Sequence, residues 1–210
     1  MSRKKELLSH LLAGGYLTAK DFKALLDASY ESVNDAPEHI SDFVLDKQLS
    51  SSDVKTYFNQ KTHQVVVAYK GTQGALDWSN NLIYALTGVK GYTYTPRYQH
   101  AKKMHEEIVK KYGKSKITSI GHSQGAILAR ELGNDGYEVI TLNPASRGEY
   151  KGNNIYDVKS SLDVVSSISD INPFSRSHTT IIPAMSKNPL TEHKKNILNR
   201  LDPNLKIGRT

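Results

Sequence analysis

Residues 121–125 read Gly-His-Ser-Gln-Gly and follow directly on the apolar run Lys-Ile-Thr-Ser-Ile. A serine between two glycines at the end of a strand has a specific chemical use. Where strand, G-x-S-x-G and helix succeed one another, the chain reverses so sharply that the serine is strained and its hydroxyl is displayed at the strand tip. Side chains at the two flanking positions would collide with the neighbouring strand and helix, which calls for glycine at Gly121 and Gly125. The start of the following helix offers backbone N–H groups and a positive dipole end to a developing oxyanion. Ser123 is therefore the candidate nucleophile. Its neighbour His122 should point away from it, and reads as structural.

A serine hydroxyl needs a base to be nucleophilic at neutral pH, and the base needs an acid to orient it. With this turn, the order along the chain is serine, then carboxylate, then histidine. Downstream of Ser123 the histidines are His178 and His193, and the acids considered are Asp157, Asp163, Asp170 and Glu149. The acid belongs just past a strand end, which favours Asp163 in the loop after Asn-Ile-Tyr-Asp-Val. Asp157 lies inside that strand, where a carboxylate reads as an edge charge. His178 precedes the last strand and so sits at the wrong edge of a parallel sheet. His193 follows that strand and can return to the catalytic edge. The expected triad is Ser123, Asp163 and His193. Oxyanion donors are expected from Gln124, through its backbone N–H, and from Thr72, beyond the strand ending at Lys70 and the closely approached Gly71.

These groups need a scaffold, and the patterning supplies one. Leu7, Leu8, Leu11 and Leu12 recur at helical spacing until Gly14-Gly15. Thr18 is placed to cap a second helix with Asp21 at its third position and Phe22, Leu25, Leu26 and Ser29 on its inner face. Val54–Phe58 and His63–Tyr69 read as a hairpin. Arg97–Tyr112 reads as a helix ended by Gly113, followed by the strand before Ser123 and a helix from Gln124 to Gly133. Tyr137–Leu142, the Asn154–Val158 run and Thr179–Pro183 read as further strands. Leu190–Leu201 reads as a last helix with Leu190, Ile197, Leu198 and Leu201 facing the core. Strands alternating with helices imply an α/β chain with a mostly parallel sheet covered on both faces. We expect one domain over 1–210, with N-terminal helices in 1–45 packed on it.

Composition narrows the field further. The chain has 210 residues and no cysteine, which excludes disulfides, thiolate catalysis and Cys-ligated zinc. Its net charge is +7, spread over the chain as a lysine-rich surface. No nucleic-acid motif accompanies it, so nucleic acid is not an expected partner. Anionic lipid headgroups fit the charge better. No metal-ligand spacing is evident, and His100 and His105 do not share a helix face; no cofactor is expected. Ser9 and His10 interrupt the apolar N-terminal stretch, which speaks against a signal peptide, and no run is long enough to span a membrane. A soluble protein, cytoplasmic or virion-associated, is the expectation.

Two stretches taken together resemble a known family. Val65–Leu82, Val-Val-Val-Ala-Tyr-Lys-Gly-Thr-Gln-Gly-Ala-Leu-Asp-Trp-Ser-Asn-Asn-Leu, then Ile-Thr-Ser-Ile-Gly-His-Ser-Gln-Gly-Ala-Ile-Leu-Ala, resemble the class 3 lipases. Tyr137–Ser146, Leu162–Ser167 and Asn188–His193 resemble that family's later strand, acid loop and histidine region. Compact lipase-like proteins of DNA viruses are the most similar branch. The resemblance implies an α/β-hydrolase fold, cleavage of lipid carboxylic esters, and the same triad and oxyanion positions. It also makes Asp77-Trp78 structural and Leu82–Tyr98 a lid. Lys70, Gln124 and Ala126 stand where the family carries arginine, leucine and glycine, and the lid segment is short and polar. A non-catalytic protein retaining the fold, or an acyltransferase using the same triad, is the alternative.

Overall fold

The structure is a computed structural model that describes residues 16–71, 92–145, 154–163 and 178–209. In chain order its first strands are Leu17–Thr18 (β1), His39–Ile40 (β2), Phe43–Leu45 (β3), Val54–Asn59 (β4) and Val65–Tyr69 (β5). Ile117–His122 (β6), Glu138–Leu142 (β7), Ile155–Ser160 (β8), His178–Ile182 (β9) and Lys206–Ile207 (β10) follow. The α-helices are Ala19–Ala28 (α1), Pro96–Tyr112 (α2), Gln124–Gly133 (α3) and Pro189–Glu192 (α4).

Among the described residues, β2 to β9 form one eight-stranded sheet in sequential order. The expected hairpin is β4 and β5, antiparallel from Val54 opposite Tyr69 to Phe58 opposite Val65. From β5 onward every pairing is parallel, through β6, β7, β8 and β9. The carboxyl ends of these five strands therefore lie along one edge, and that edge is where a parallel sheet holds its chemistry.

The run Val-Val-Val-Ala-Tyr in β5 is apolar without alternation because both of its faces are covered. Val66 and Ala68 enter one core with Phe22, Leu25 and Leu26 of α1, Ile120, Ile140, Ile197 and Leu198. Val65, Val67 and Tyr69 enter the other with Ala101 and Ile108 of α2 and Leu128 and Ala129 of α3. Each fully buried Leu, Val or Phe contributes roughly 1.5–3 kcal/mol. The helix ends are as the residues dictate. Thr18 Oγ1 accepts from Asp21 N at 3.1 Å to start α1. Thr95 caps α2 with Pro96 in its first turn, and Gly113, at φ 81°, ends it.

Some expectations are corrected or fall elsewhere. The first leucine run, Leu7 to Leu12, lies outside the described residues. β5 ends at Tyr69, one residue before Lys70. The single helix expected over Leu190–Leu201 is broken: α4 is four residues, Lys194 is extended, and a 3-10 segment runs Lys195–Arg200. Ile197 and Leu198 are buried as expected, whereas Leu190 is exposed. Asp157 is not an edge charge. It is buried in β8, with Arg130 Nη2 of α3 and Thr141 Oγ1 of β7 each donating to it at 2.5 Å. Burial pushes its carboxyl up, yet the Arg130 charge and these hydrogen bonds hold it net below the usual carboxylate range.

Candidate active site

Ser123 stands between β6 and α3 with φ 56° and ψ −121°, a conformation that costs an L-residue about 1–3 kcal/mol. The surroundings enforce it. Ser123 N donates to Leu142 O at 3.1 Å, and its own carbonyl accepts from Ala126 N and Ala145 N at 3.1 and 3.3 Å. The flanking glycines are required by contact. A Cβ at Gly121 would overlap the Gly125 carbonyl, and a Cβ at Gly125 would overlap the Tyr69 carbonyl of β5. Helix α3 can therefore lie directly against the strand tips. The Ser123 hydroxyl is buried and makes no hydrogen bond among the described residues.

Asp163 lies just past the end of β8 and is fully buried. His193 caps the C-terminus of α4, and its Nδ1 lies 3.0 Å from Asp163 Oδ1. A carboxylate only accepts, so Nδ1 carries the proton and the basic lone pair falls on Nε2. β6 and β8 are both parallel to β7, so Ser123 and Asp163 share one sheet edge. The His193 ring lies 5.1 Å, centroid to centroid, from that of His122, the residue beside Ser123.

The segment that carries His193 is fastened to three successive strand tips. His122 at the end of β6 lies 2.7 Å through Nε2 from the His193 carbonyl. Asn143, just past β7, donates from Nδ2 to the Glu192 carbonyl at 2.9 Å, so two consecutive carbonyls are gripped from adjacent strands. Ser160 at the end of β8 donates from Oγ to Glu192 Oε2 at 2.6 Å. The buried Glu192 carboxylate also accepts from Arg200, Met185 N and Ser186 N. The Arg200 guanidinium holds it well below the usual carboxylate range, at about 2.

Gln124 opens α3, so its backbone N–H belongs to the first helical turn. Arg97 Nη1 donates to its side-chain oxygen at 3.3 Å, and Nη2 donates to the Lys70 carbonyl. Thr72, Asp77 and Trp78 lie outside the described residues, as do the acid candidates Glu149 and Asp170 and residues 82–91 of the lid segment. The end of that segment, from Pro96, is the first turn of α2. His178 begins β9, at the opposite sheet edge from Ser123, and stacks on Tyr156 with ring centroids 5.0 Å apart.

Three residues around this site, Arg97, Asn143 and Glu192, carry no signal in the sequence, and His122, structural as expected, gives no sign there of the partners it holds. Each acts on a partner far away in the chain, and no spacing rule records such pairs.

No family profile matches the sequence, and no curated protein matches it. Among solved structures the chain is similar to Lip2 lipase from Yarrowia lipolytica. The TM-score is 0.53 at 12% identity, covering 87% of this chain and 80% of that one. A triacylglycerol lipase from Penicillium expansum matches with a TM-score of 0.48 at 16% identity, over 81% and 82% of the two chains. The mostly parallel sheet with helices on both faces and the first of these likenesses describe an α/β-hydrolase-like fold.

Proposed function

We propose that the chain is a serine carboxylic-ester hydrolase of the lipase, phospholipase or esterase kind, acting on lipid esters. The observation that carries the reading is a conjunction. A serine is held strained at the tip of a parallel strand, and a buried histidine–carboxylate pair is tied by its own backbone to the residue next to that serine. Packing alone does not require such a strained serine.

Ser123 Oγ attacks the ester carbonyl carbon as its proton passes to His193 Nε2. Asp163 keeps Nδ1–H directed and stabilises the imidazolium. The backbone N–H groups of Gln124 and Thr72 receive the oxyanion, each donor worth about 3 kcal/mol. Collapse expels the alcohol, which takes the proton from His193. Water then attacks the acyl-enzyme by the same route, releasing the acid and restoring Ser123. Catalytic hydrogen bonds commonly tighten only when substrate is bound, which suits a Ser123 hydroxyl that has no hydrogen bond among the described residues.

The +7 charge supports anionic phospholipid surfaces as the setting, at about 1 kcal/mol per cationic side chain near such a surface. The test is hydrolysis of p-nitrophenyl esters of increasing chain length beside a phospholipid, with Ser123→Ala as control. Turnover by the wild type that is lost in the variant supports the reading. A folded wild type that cleaves none of them refutes it.

A further inference from the structure

His122 is buried, and both of its ring nitrogens are engaged. Nε2 faces the His193 carbonyl, an acceptor only, so Nε2 carries the proton and Nδ1 the lone pair. Tyr30 Oη, 3.0 Å away at the end of α1, therefore donates to Nδ1. Tyr30 Oη accepts in turn from the Gly71 backbone N–H, at the strand end that leads to Thr72. The approach at Gly71 is close: a Cβ there would overlap Tyr30 Oη and the His122 carbonyl. Lys195, two residues past His193, lies with Nζ 3.9 Å over the Tyr30 ring and 2.8 Å from Asp27 of α1.

We infer that Tyr30 and His122 are positioning residues for the proposed ester cleavage. They form one directed chain of hydrogen bonds, from Gly71 N–H through Tyr30 and His122 to the His193 carbonyl. The chain fixes the base's backbone against the strand end from which the second oxyanion donor comes. The inference rests on the reading of His193 as the base.

Charge agrees with this geometry. The groups facing His122 are Tyr30 from the turn just past α1, His193 and Lys195 from the base segment, and Asp163 from the loop after β8. Burial, with His193 beside it, pushes His122 down to about 3, so it stays neutral while His193 cycles. Burial pushes Tyr30 up to about 12, so it keeps the proton it donates. A cationic His122 would sit 5.1 Å from the His193 ring and oppose the imidazolium that the reaction needs.

Three variants separate positioning from packing. Tyr30→Phe removes the hydroxyl and leaves the ring beneath Lys195. His122→Leu keeps the bulk and loses the donor, whereas His122→Gln retains an N–H near the Nε2 position. Tyr30→Phe and His122→Leu should each lower kcat about tenfold, or ~1.4 kcal/mol, with KM little changed. The double variant should be no worse than His122→Leu alone, because both changes break the same chain. His122→Gln should recover most of the loss.

The low-field proton resonance of the His193–Asp163 hydrogen bond gives a readout independent of turnover, and it should broaden in Tyr30→Phe and His122→Leu. A wild type that hydrolyses esters, with variants matching it in kcat and resonance, overturns the relay. So does His122→Leu behaving as His122→Gln does. If His122→Leu fails to fold, Tyr30→Phe carries the test. If the wild type hydrolyses nothing, the hydrolase reading falls, and the resonance alone judges the relay: a signal unaltered in Tyr30→Phe overturns it.

Discussion

At position 123 the backbone turns from strand to helix within one residue, at φ 56° and ψ −121°. Glycine adopts this region at little steric cost, whereas serine is strained there by about 1–3 kcal/mol. A serine at this position therefore costs stability that a glycine would not. Ser123→Gly should therefore unfold at higher denaturant, by about 1 kcal/mol after glycine's extra unfolded-state entropy is subtracted. Urea titration checks this; a loss of stability would mean that the turn holds no strain. Much of this residue-scale picture is legible in five letters, because Gly121 and Gly125 are needed for contacts made within the turn and by the adjoining strand. His122 is different. Its partners are the carbonyl of residue 193 and the hydroxyl of residue 30, and no local pattern announces either.

At the scale of elements, the strands and helices that bury a continuous face were readable from periodicity, and α1 is the plainest case. Thr18 caps it, and Phe22, Leu25, Leu26 and Ser29 are all buried. The last segment was misread, and the cause is physical. A helix continued through His193 would carry the carbonyls of Glu192 and His193 into intrahelical bonds. Asn143 and His122 take those carbonyls instead, so the chain breaks at an extended Lys194 before it resumes as 3-10. Asp157 was misread for a related reason: its counter-charge arrives from α3, across the face of the sheet. That pair is buried on both sides, and removing one partner strands the other. Arg130→Met should therefore destabilise the fold by about 3–5 kcal/mol, measured by urea unfolding. A change under about 1 kcal/mol would mean that Asp157 finds another partner or water.

At the scale of the whole molecule, two buried groups bias stability in opposite directions with pH. His122 titrates at about 3 in the fold against 6.5 for a free histidine. The unfolded chain thus binds more protons between these values, and stability falls as pH drops through that window. Glu138, at the opposite end of the sheet, accepts from Thr118 Oγ1 at 3.1 Å and Arg209 N at 2.8 Å. Burial pushes it up to about 7 from 4.5, so its contribution is present below about 4.5 and is lost as pH rises through 7. Glu138→Gln should gain stability relative to the wild type between pH 5 and pH 8, by about 2–3 kcal/mol. Urea midpoints at the two pH values check this; an unchanged difference would mean that Glu138 does not titrate with folding. Strand order, register and the fastening of the His193 segment to three strand tips are whole-molecule properties of this kind, set by pairings that single stretches do not encode. At this scale the carboxyl edge of the sheet is proposed to unite one hydroxyl, Ser123, with one imidazole, His193, from residues seventy apart. Fluorophosphonate labelling tests it most directly. The wild type and His178→Ala should be labelled at Ser123, while Ser123→Ala and His193→Ala should remain essentially unlabelled. A folded wild type that resists the probe, or labelling abolished by His178→Ala and kept in His193→Ala, would contradict the account.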